Sequence, residues 1–163
     1  MTREALNGVD LKILEELKRN AKMTYRELSS KLGVAIGTIY NRIRKLEEAG
    51  IIRKFTVDID YEKLGYDLTA IIMIQVEGPY IIEVERELAK FDEVMSVYDI
   101  TGEFDIAVIA KFRGREELNK FIKKILTMPH IKRTVTSIAL SVVKENFSMK
   151  TNLQAFKPKY TKN

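Results

Sequence analysis

Residues 24–50 read TYRELSSKLGVAIGTIYNRIRKLEEAG, and this stretch decides the fold of the first part of the chain. Its apolar spacing predicts two short helices, over about 25–32 and 36–49. Gly33 lies between them and accepts the left-handed backbone that ends a helix, and Gly50 ends the second helix in the same way. Two short helices joined by a tight glycine turn are typical of a helix-turn-helix unit.

Capping residues support these helix boundaries. Thr24, with Glu27 three residues later, matches the capping box that begins the first of the two helices. An earlier periodic stretch, residues 9–19, predicts a preceding helix, and either Asn7 or Asp10 can cap it. The sequence therefore predicts three helices in the first 50 residues.

The helix at 36–49 has an apolar face and an opposite polar face. At about 100° per residue, four apolar residues are expected to face the core: Ile36, Ile39, Ile43 and Leu46. The opposite face carries Gly37, Thr38, Asn41, Arg44, Lys45 and Glu48. A basic face of this kind is often only solvated, but the two-helix geometry favours entry into the DNA major groove. There Arg and Lys can bridge to guanine, and Asn can pair with adenine.

The same reasoning selects the candidate DNA contacts. Residues 51–59 are rich in β-forming side chains and predict a short strand pair, a wing, whose basic residues would contact phosphates. The predicted DNA-binding residues are Thr24, Tyr25, Gly37, Thr38, Tyr40, Asn41, Arg42, Arg44, Lys45, Arg53 and Lys54. The predicted partner is double-stranded DNA, bound by a winged helix-turn-helix domain over residues 1–60.

The second half of the chain has a different pattern. Apolar or alternating runs predict strands at about 68–77, 94–101, 104–112 and 131–145, and helical spacing predicts helices at 80–91 and 115–127. The order β-α-β-β-α-β is that of the ferredoxin-like fold. The predicted fold class is therefore α+β, with a linker at 61–67, a ferredoxin-like domain over 68–146 and a basic tail over 147–163.

Composition narrows the possible functions. The chain has no cysteine and one histidine, so thiolate chemistry and a multi-histidine metal site are excluded, and no cofactor is expected. No apolar run reaches the roughly 18 residues that span a bilayer, and a cytoplasmic protein without a membrane partner is expected. Residues 1–60 hold 12 Lys/Arg against 9 Asp/Glu, whereas residues 61–145 hold 12 against 14. The basic surplus thus lies in the predicted DNA-binding part and in the tail.

Longer segments of the chain resemble a known family. The stretch from DLKILEEL through NRIRKLEEAGIIRKFTVDID, then KLGYDL and VYDITGEFD, is similar to the Lrp/AsnC, or feast/famine, transcription regulators of bacteria and archaea. The resemblance covers about residues 8–145. It implies a winged helix-turn-helix head, a ligand-sensing ferredoxin-like domain, and dimers joined through their sheets that can assemble into octamers.

The resemblance also implies a small amino-acid effector at the TGEFD loop, residues 101–105. Carried over, it selects Tyr98, Thr101, Gly102, Glu103 and Asp105, with Gly102 amides holding the ligand carboxylate and Asp105 its ammonium group. The last strand offers Thr134 and Thr136 on one face. By spacing alone the loop is only a turn joining two strands.

Other charged residues are expected to be structural. His130 follows Pro129 at a helix end, and Glu83, Glu85 and Glu87 are expected to form a solvated helix face. Lys120, Lys123 and Lys124 either are solvated or line the effector cleft, and in the second case a neutral or acidic amino acid is favoured over a cationic one. No nucleophile–base pair indicates an enzyme.

Two functions follow from the sequence. The first is a sequence-specific transcription regulator that binds a palindromic operator as a homodimer and responds to an amino acid. The second is a constitutive architectural DNA-binding protein whose C-terminal domain only oligomerises. Apolar runs on successive residues of two strands, 70–76 and 104–110, favour a dimer, because a sheet covered by helices on one face leaves the other apolar.

Overall fold

The computed structural model describes residues 6–145 of the chain. These residues divide into two compact units, residues 6–58 and Ile59–Glu145. The stretch 61–67, which the sequence indicated as a linker, is grouped with the second unit and contains a short 3₁₀ helix, Glu62–Leu64. The predicted basic tail, residues 147–163, lies outside the described residues.

The first unit contains three helices: α1 (Gly8–Arg19), α2 (Tyr25–Leu32) and α3 (Ile36–Glu48). Asn7 caps α1, and its partner in a capping box is Asp10, so both residues that the sequence offered take part. Thr24 and Glu27 form the capping box predicted for α2. Gly33 follows α2 with φ of 65°, the left-handed conformation that the turn requires.

Apolar residues from all three helices form the core of this unit. Its buried members are Ile13, Leu17, Leu28, Ile39, Ile43 and Leu46. The prediction that Ile36 faces this core is wrong, because 46% of Ile36 is exposed. Ile36 lies on the same i, i+4 ridge as Tyr40, which is also exposed. The buried face of α3 is therefore narrower than the helical projection indicated.

The predicted wing is the second correction in this unit. No strand forms within residues 51–60, although these residues are β-forming by composition. The stretch IIRKFTVDID contains no Gly, Pro or Asn with which a tight hairpin could turn, and a strand cannot persist without a hydrogen-bonded partner. Phe55, Val57 and Ile59 are exposed as a result.

We expect the Gly33→Ala substitution to destabilise the helix-turn-helix unit. A β-carbon at Gly33 would meet no atom within 4 Å beyond its two neighbours in the chain, so the cost comes from the backbone conformation. An L-residue in the left-handed region costs roughly 1–2 kcal/mol, and this should appear as a loss in the free energy of chemical unfolding. Gly33→Asn is the matched control, because Asn tolerates this region better. Equal losses for Ala and Asn would contradict the backbone explanation.

The second unit is a four-stranded antiparallel sheet with two helices. Its strands are β1 (Leu68–Val76), β2 (Val94–Asp99), β3 (Ile106–Phe112) and β4 (Ile131–Ile138), arranged in the order β2-β3-β1-β4. The helices are α4 (Ile81–Leu88) and α5 (Arg115–Leu126). The chain order and the sheet order confirm the predicted ferredoxin-like βαββαβ domain.

The last strand is shorter than the sequence indicated. β4 ends at Ile138 rather than near residue 145, because Ile138 pairs with Ala70 close to the start of β1. One more backbone hydrogen bond follows, from the N–H of Ala139 to the carbonyl of Thr69 at 2.9 Å, and β1 begins one residue before Thr69, at Leu68. The strand therefore does not extend to Leu140, Val142 and Val143. All three are exposed.

One face of the sheet packs on α4 and α5, and the other does not. The packed face contributes Ile72, Ile74, Ile106 and Val108 to the core of this unit, together with Phe121 from α5. The opposite face, which we call the open face, carries Ile71, Met73, Tyr98, Ile109 and Val135. Ile71 is 42% exposed and Tyr98 is 51% exposed.

Candidate nucleic-acid interface and effector site

The polar face of α3 is open to solvent. Ile39, Ile43 and Leu46 are buried, and the opposite side of the helix presents Gly37, Thr38, Asn41, Arg44 and Lys45, all exposed. Ala35 begins the helix without a side-chain cap, so the first amide groups and the positive end of the helix dipole are not satisfied by a side chain. This end can therefore approach an anionic ligand such as a phosphate.

Two tyrosines lie beside this face. The rings of Tyr25, at the start of α2, and Tyr40, on α3, meet edge to face with centroids 5.8 Å apart. Both side chains are nearly half exposed, so each ring keeps a surface toward solvent. The contact restricts the orientation of the Tyr40 side chain, and both phenol groups can still donate hydrogen bonds.

Arg42 has a structural partner. Its guanidinium lies 3.3 Å from Oδ2 of Asp10, a buried carboxylate that also accepts the backbone N–H of Asn7. This contact ties α3 to the start of α1. Arg42 therefore differs from the other predicted DNA contacts on α3, which are exposed to solvent. A role for Arg42 in DNA binding stays a prediction.

We expect Arg42→Met to lower stability while it leaves DNA sequence preference unchanged. The substitution keeps the length of the side chain and removes the partner of the buried Asp10, which should cost about 1.5–3 kcal/mol. Chemical unfolding measures the first effect, and the affinity ratio for specific over random DNA measures the second. A stable variant with a reduced ratio would show that Arg42 contacts bases.

The other cations on this unit are at the surface. Arg44 forms an i, i+4 ion pair with Glu48 at 3.1 Å, and both side chains are exposed. Exposed pairs of this kind contribute little to stability, so Arg44 can exchange Glu48 for a phosphate or base at small cost. Arg53 and Lys54 are exposed in the segment that forms no strand, so their predicted phosphate contacts do not depend on a wing.

The TGEFD loop joins β2 to β3 and is held by several hydrogen bonds. Oδ2 of Asp105 accepts the backbone N–H of Val76 at 2.8 Å, and the N–H of Asp105 donates to the carbonyl of Ile74 at 3.0 Å. Gly102 has φ of 127°, which only glycine adopts readily. Asp105 therefore anchors the loop to β1 through Oδ2, and its other carboxylate oxygen takes no part in this contact.

Arg133 is the residue that the sequence prediction missed at this loop. Its guanidinium pairs with the Glu103 carboxylate at 2.9 Å and lies 5.4 Å from the centre of the Phe104 ring. Arg133 is the register partner of Gln75, whose amide donates to the Glu103 carbonyl at 3.5 Å. A planar guanidinium is well suited to bind a carboxylate.

Thr134 and Thr136 are not brought to the loop. They pair with Ile74 and Ile72, which belong to the face packed on the helices, and directly opposed residues share a face. The residues of β4 on the open face are instead Arg133, Val135 and Ser137. The sequence pattern did not distinguish the two faces, because both are largely polar on this strand.

The charged helix residues have other partners. Lys120 pairs with Glu116, which raises the pKa of Lys120, and Lys124 lies 4.4 Å from the centre of the Phe91 ring. Both lysines lie on α5, which packs on one face of the sheet, whereas Gln75 and Arg133 contact the loop from the open face. The two lysines therefore give no reason to disfavour a cationic effector. His130 stacks on Tyr80, with ring centroids 3.4 Å apart, in agreement with a structural role.

Glu85 departs from the solvated helix face that the sequence predicted. Its Oε1 is buried without a hydrogen-bond partner among the described residues. Burial, and then the charge of Asp99, raises the pKa of the Glu85 carboxyl. Because the folded state disfavours the charged form of Glu85, this carboxyl lowers the free energy of unfolding as the pH rises above the ordinary pKa of a glutamate.

Among residues 6–145, no group of three or more His, Cys, Asp or Glu side chains is arranged to hold a metal ion. None of the helices in this part of the chain is long and apolar enough to cross a membrane.

A three-helix head whose third helix, α3, is exposed and basic, followed by a ferredoxin-like body, is typical of a helix-turn-helix DNA-binding regulator. Comparison with known proteins narrows the class. A winged helix-turn-helix DNA-binding profile matches residues 6–53, and the profile of the Lrp/AsnC ligand binding domain matches residues 69–149. The chain belongs to the Lrp/AsnC family of transcription regulators, which are not enzymes.

Individual relatives cover nearly the whole chain. An uncharacterized HTH-type transcriptional regulator of Pyrococcus furiosus is 51% identical over 144 residues, which are 88% of this chain and 97% of the relative. The regulator FL11 of Pyrococcus horikoshii is 41% identical over 143 residues, 88% of this chain and 95% of FL11.

Solved structures agree with the fold. AsnC of E. coli superimposes with a TM-score of 0.78 at 32% identity, covering 92% of this chain and 99% of AsnC. A Neisseria meningitidis transcriptional regulator in complex with L-Met gives a TM-score of 0.83 at 25% identity, with 92% and 99% covered.

Proposed function

We propose that this regulator binds a palindromic operator as a homodimer, and that a small free amino acid bound between protomers changes its DNA binding. The single observation that carries the effector part is the loop 101–105, which is fixed by Asp105 and Arg133 beside the open face of the sheet. The alternative, a constitutive architectural protein, needs no such fixed charged loop.

The open face supports the homodimer. Ile71, Met73, Ile109 and Val135 form an apolar surface on a sheet whose other face is already packed. Soluble proteins rarely leave such a surface uncovered. A second copy of the same sheet, related by a two-fold axis, would cover it with identical residues. Two DNA-binding heads on a two-fold axis match a palindromic operator, and further assembly to an octamer remains a part of the proposal.

The charges at the loop suit a zwitterion. Arg133 has guanidinium donors beyond the one that pairs with Glu103, and these can bind the ligand carboxylate. Asp105 retains one oxygen for the ligand ammonium group, and the backbone amides near Gly102 can add to the carboxylate site. Tyr98, exposed on the open face, can contact the ligand side chain. Thr101 and Glu103 complete the proposed effector residues, whereas Thr134 and Thr136 have no contact that supports them.

The chemistry of one relative supports this ligand class. The Neisseria regulator was crystallised with L-Met, and the present chain shares its fold over both domains. We therefore propose an amino acid as the effector, and a neutral one agrees with the mixed charges of Glu103, Asp105 and Arg133.

We expect Asp105→Asn to weaken amino-acid binding by about 10- to 100-fold, the value for one hydrogen bond to a charged group. The asparagine oxygen can still accept the N–H of Val76, so the loop keeps its anchor and only the charge is removed. A thermal shift screen against the common amino acids finds the ligand, and calorimetric titration measures its affinity in both proteins.

Asp92→Asn is the matched control, because it removes one negative charge at an exposed position away from the loop. It should leave the affinity unchanged. If Asp105→Asn bound the amino acid as tightly as the wild type, Asp105 would not belong to the site. If no amino acid shifted the unfolding temperature of the wild type, the architectural alternative would be favoured.

A further inference from the structure

Ile36 is an exposed apolar residue at the first position of α3. Single exposed apolar residues are common on protein surfaces, so exposure alone carries no function. Two further observations distinguish Ile36. It begins the helix that is proposed to enter the major groove, and a β-carbon at the neighbouring Gly37 would meet no atom within 4 Å apart from the adjoining residues and the backbone of its own helix. The surface around Ile36 is therefore open to close approach.

Ile36 also belongs to a row of exposed side chains that runs along one side of α3. Ile36, Tyr40 and Arg44 follow one another at i, i+4 spacing and are all exposed, so they form one continuous row along α3. On the other flank, Arg42 is drawn toward Asp10 and α1. The row of Ile36, Tyr40 and Arg44 is thus the side of the helix that can contact a groove wall, with its apolar member at the amino-terminal end.

We propose that Ile36 is a specificity-determining residue that recognises the C5-methyl group of a thymine in each half-site. The thymine methyl is the apolar group that a base pair presents in the major groove, and apolar side chains contact it. At the same position a cytosine amino group, or a purine nitrogen, would lose its water against Ile36 without gaining a hydrogen bond. The amino-terminal residues of a recognition helix are those that contact base edges.

This inference rests on the proposed function, because it requires α3 in the major groove. It adds a residue that the sequence assigned to the core and a base that the residue selects. Tyr25 supports the row indirectly, since its edge-to-face contact holds Tyr40 beside Ile36.

The test uses the full chain and a duplex selected from a random DNA library. Each thymine of the selected duplex is replaced in turn by 2′-deoxyuridine, which lacks only the methyl group, and Kd is measured by fluorescence anisotropy. For the wild type, one thymine per half-site should be sensitive, with a loss of about fourfold per half-site, as expected for one buried methyl group.

The variant Ile36→Ala should bind the unmodified duplex more weakly and should be insensitive to deoxyuridine at that thymine. Ile36→Val, which keeps the branched carbons near the backbone, should retain most of the sensitivity. Because Ile36 is largely outside the core, both variants should unfold at the wild-type temperature, and this control excludes a folding defect.

The inference is overturned if Ile36→Ala keeps the wild-type sensitivity at every thymine, or if the wild type is insensitive at all of them. Either result would leave the proposed function intact as long as a specific duplex is selected. Failure to select any specific duplex would instead count against the proposed function, so the two failures can be distinguished.

Discussion

Asn41→Ala and Lys45→Ala should each reduce the preference of this regulator for its operator over random DNA, by about 1–3 kcal/mol for each lost base contact. Both residues lie on the exposed face of α3, opposite the buried Ile39, Ile43 and Leu46. A two-fold dimer repeats each contact in the second half-site, so the free-energy loss per dimer should be about doubled and the fold-change in the affinity ratio squared. Competition binding with specific and random duplexes measures the ratio.

Two kinds of control distinguish the loss of a base contact from the loss of positive charge in general. Lys12→Ala removes the same charge at an exposed position on α1 and should leave the ratio unchanged. Arg53→Ala and Lys54→Ala should weaken binding to both kinds of DNA and reduce the salt dependence, because phosphate contacts release counterions. An unchanged ratio for both Asn41→Ala and Lys45→Ala would mean that α3 does not read the bases.

A charge on the open face of the sheet should convert the dimer into monomers. In Ile71→Asp the carboxylate is exposed in a single protomer, since Ile71 is 42% exposed there, so the fold should persist. In the proposed dimer the same carboxylate is buried without a partner, once in each protomer, at a cost of several kcal/mol per charge. Dimerisation should weaken by more than about 100-fold.

Light scattering at micromolar concentration measures this effect. The wild type should have the mass of at least two chains, and Ile71→Asp the mass of one. Ile82→Asp is the matched control, because Ile82 is exposed on α4 rather than on the open face, and it should remain a dimer. A wild type with the mass of one chain, or an Ile71→Asp variant as dimeric as the wild type, would contradict the proposed interface.

The helices and the order of strands could be predicted because their signals are local. Thr24 with Glu27, and Gly33 after α2, specify helix ends within a few residues of sequence. The periodicity of α3 identified Ile39, Ile43 and Leu46 as core residues, and each is buried. The order of strands and helices in the second unit followed from the same short-range patterns.

The errors occurred where a distant partner decides the outcome. Residues 51–59 are rich in β-forming side chains, and Val142 and Val143 follow β4, but strand formation depends on a neighbouring strand that the sequence does not name. Ile36 lies at the edge of the apolar face of α3, where the tertiary packing, and not the helical period, sets burial.

The candidate sites show the same limit. Arg42 looks like its basic neighbours in sequence, and only the folded head brings it to Asp10, 32 residues earlier. Arg133 and Thr134 are adjacent polar residues on opposite faces of β4. A register shift of one residue exchanges these faces, so the sequence alone could not decide which of the two lies beside Glu103.

The central claim is that this chain is a sequence-specific regulator whose DNA binding responds to an amino acid. The most direct measurement is the affinity ratio of a selected duplex over a scrambled one, determined with and without each common amino acid. We predict a ratio of roughly 10³ or more, and a change of about 5- to 150-fold in affinity for the selected duplex with at least one amino acid. A ratio near one, unchanged by every amino acid, would contradict the claim and indicate an architectural DNA-binding protein.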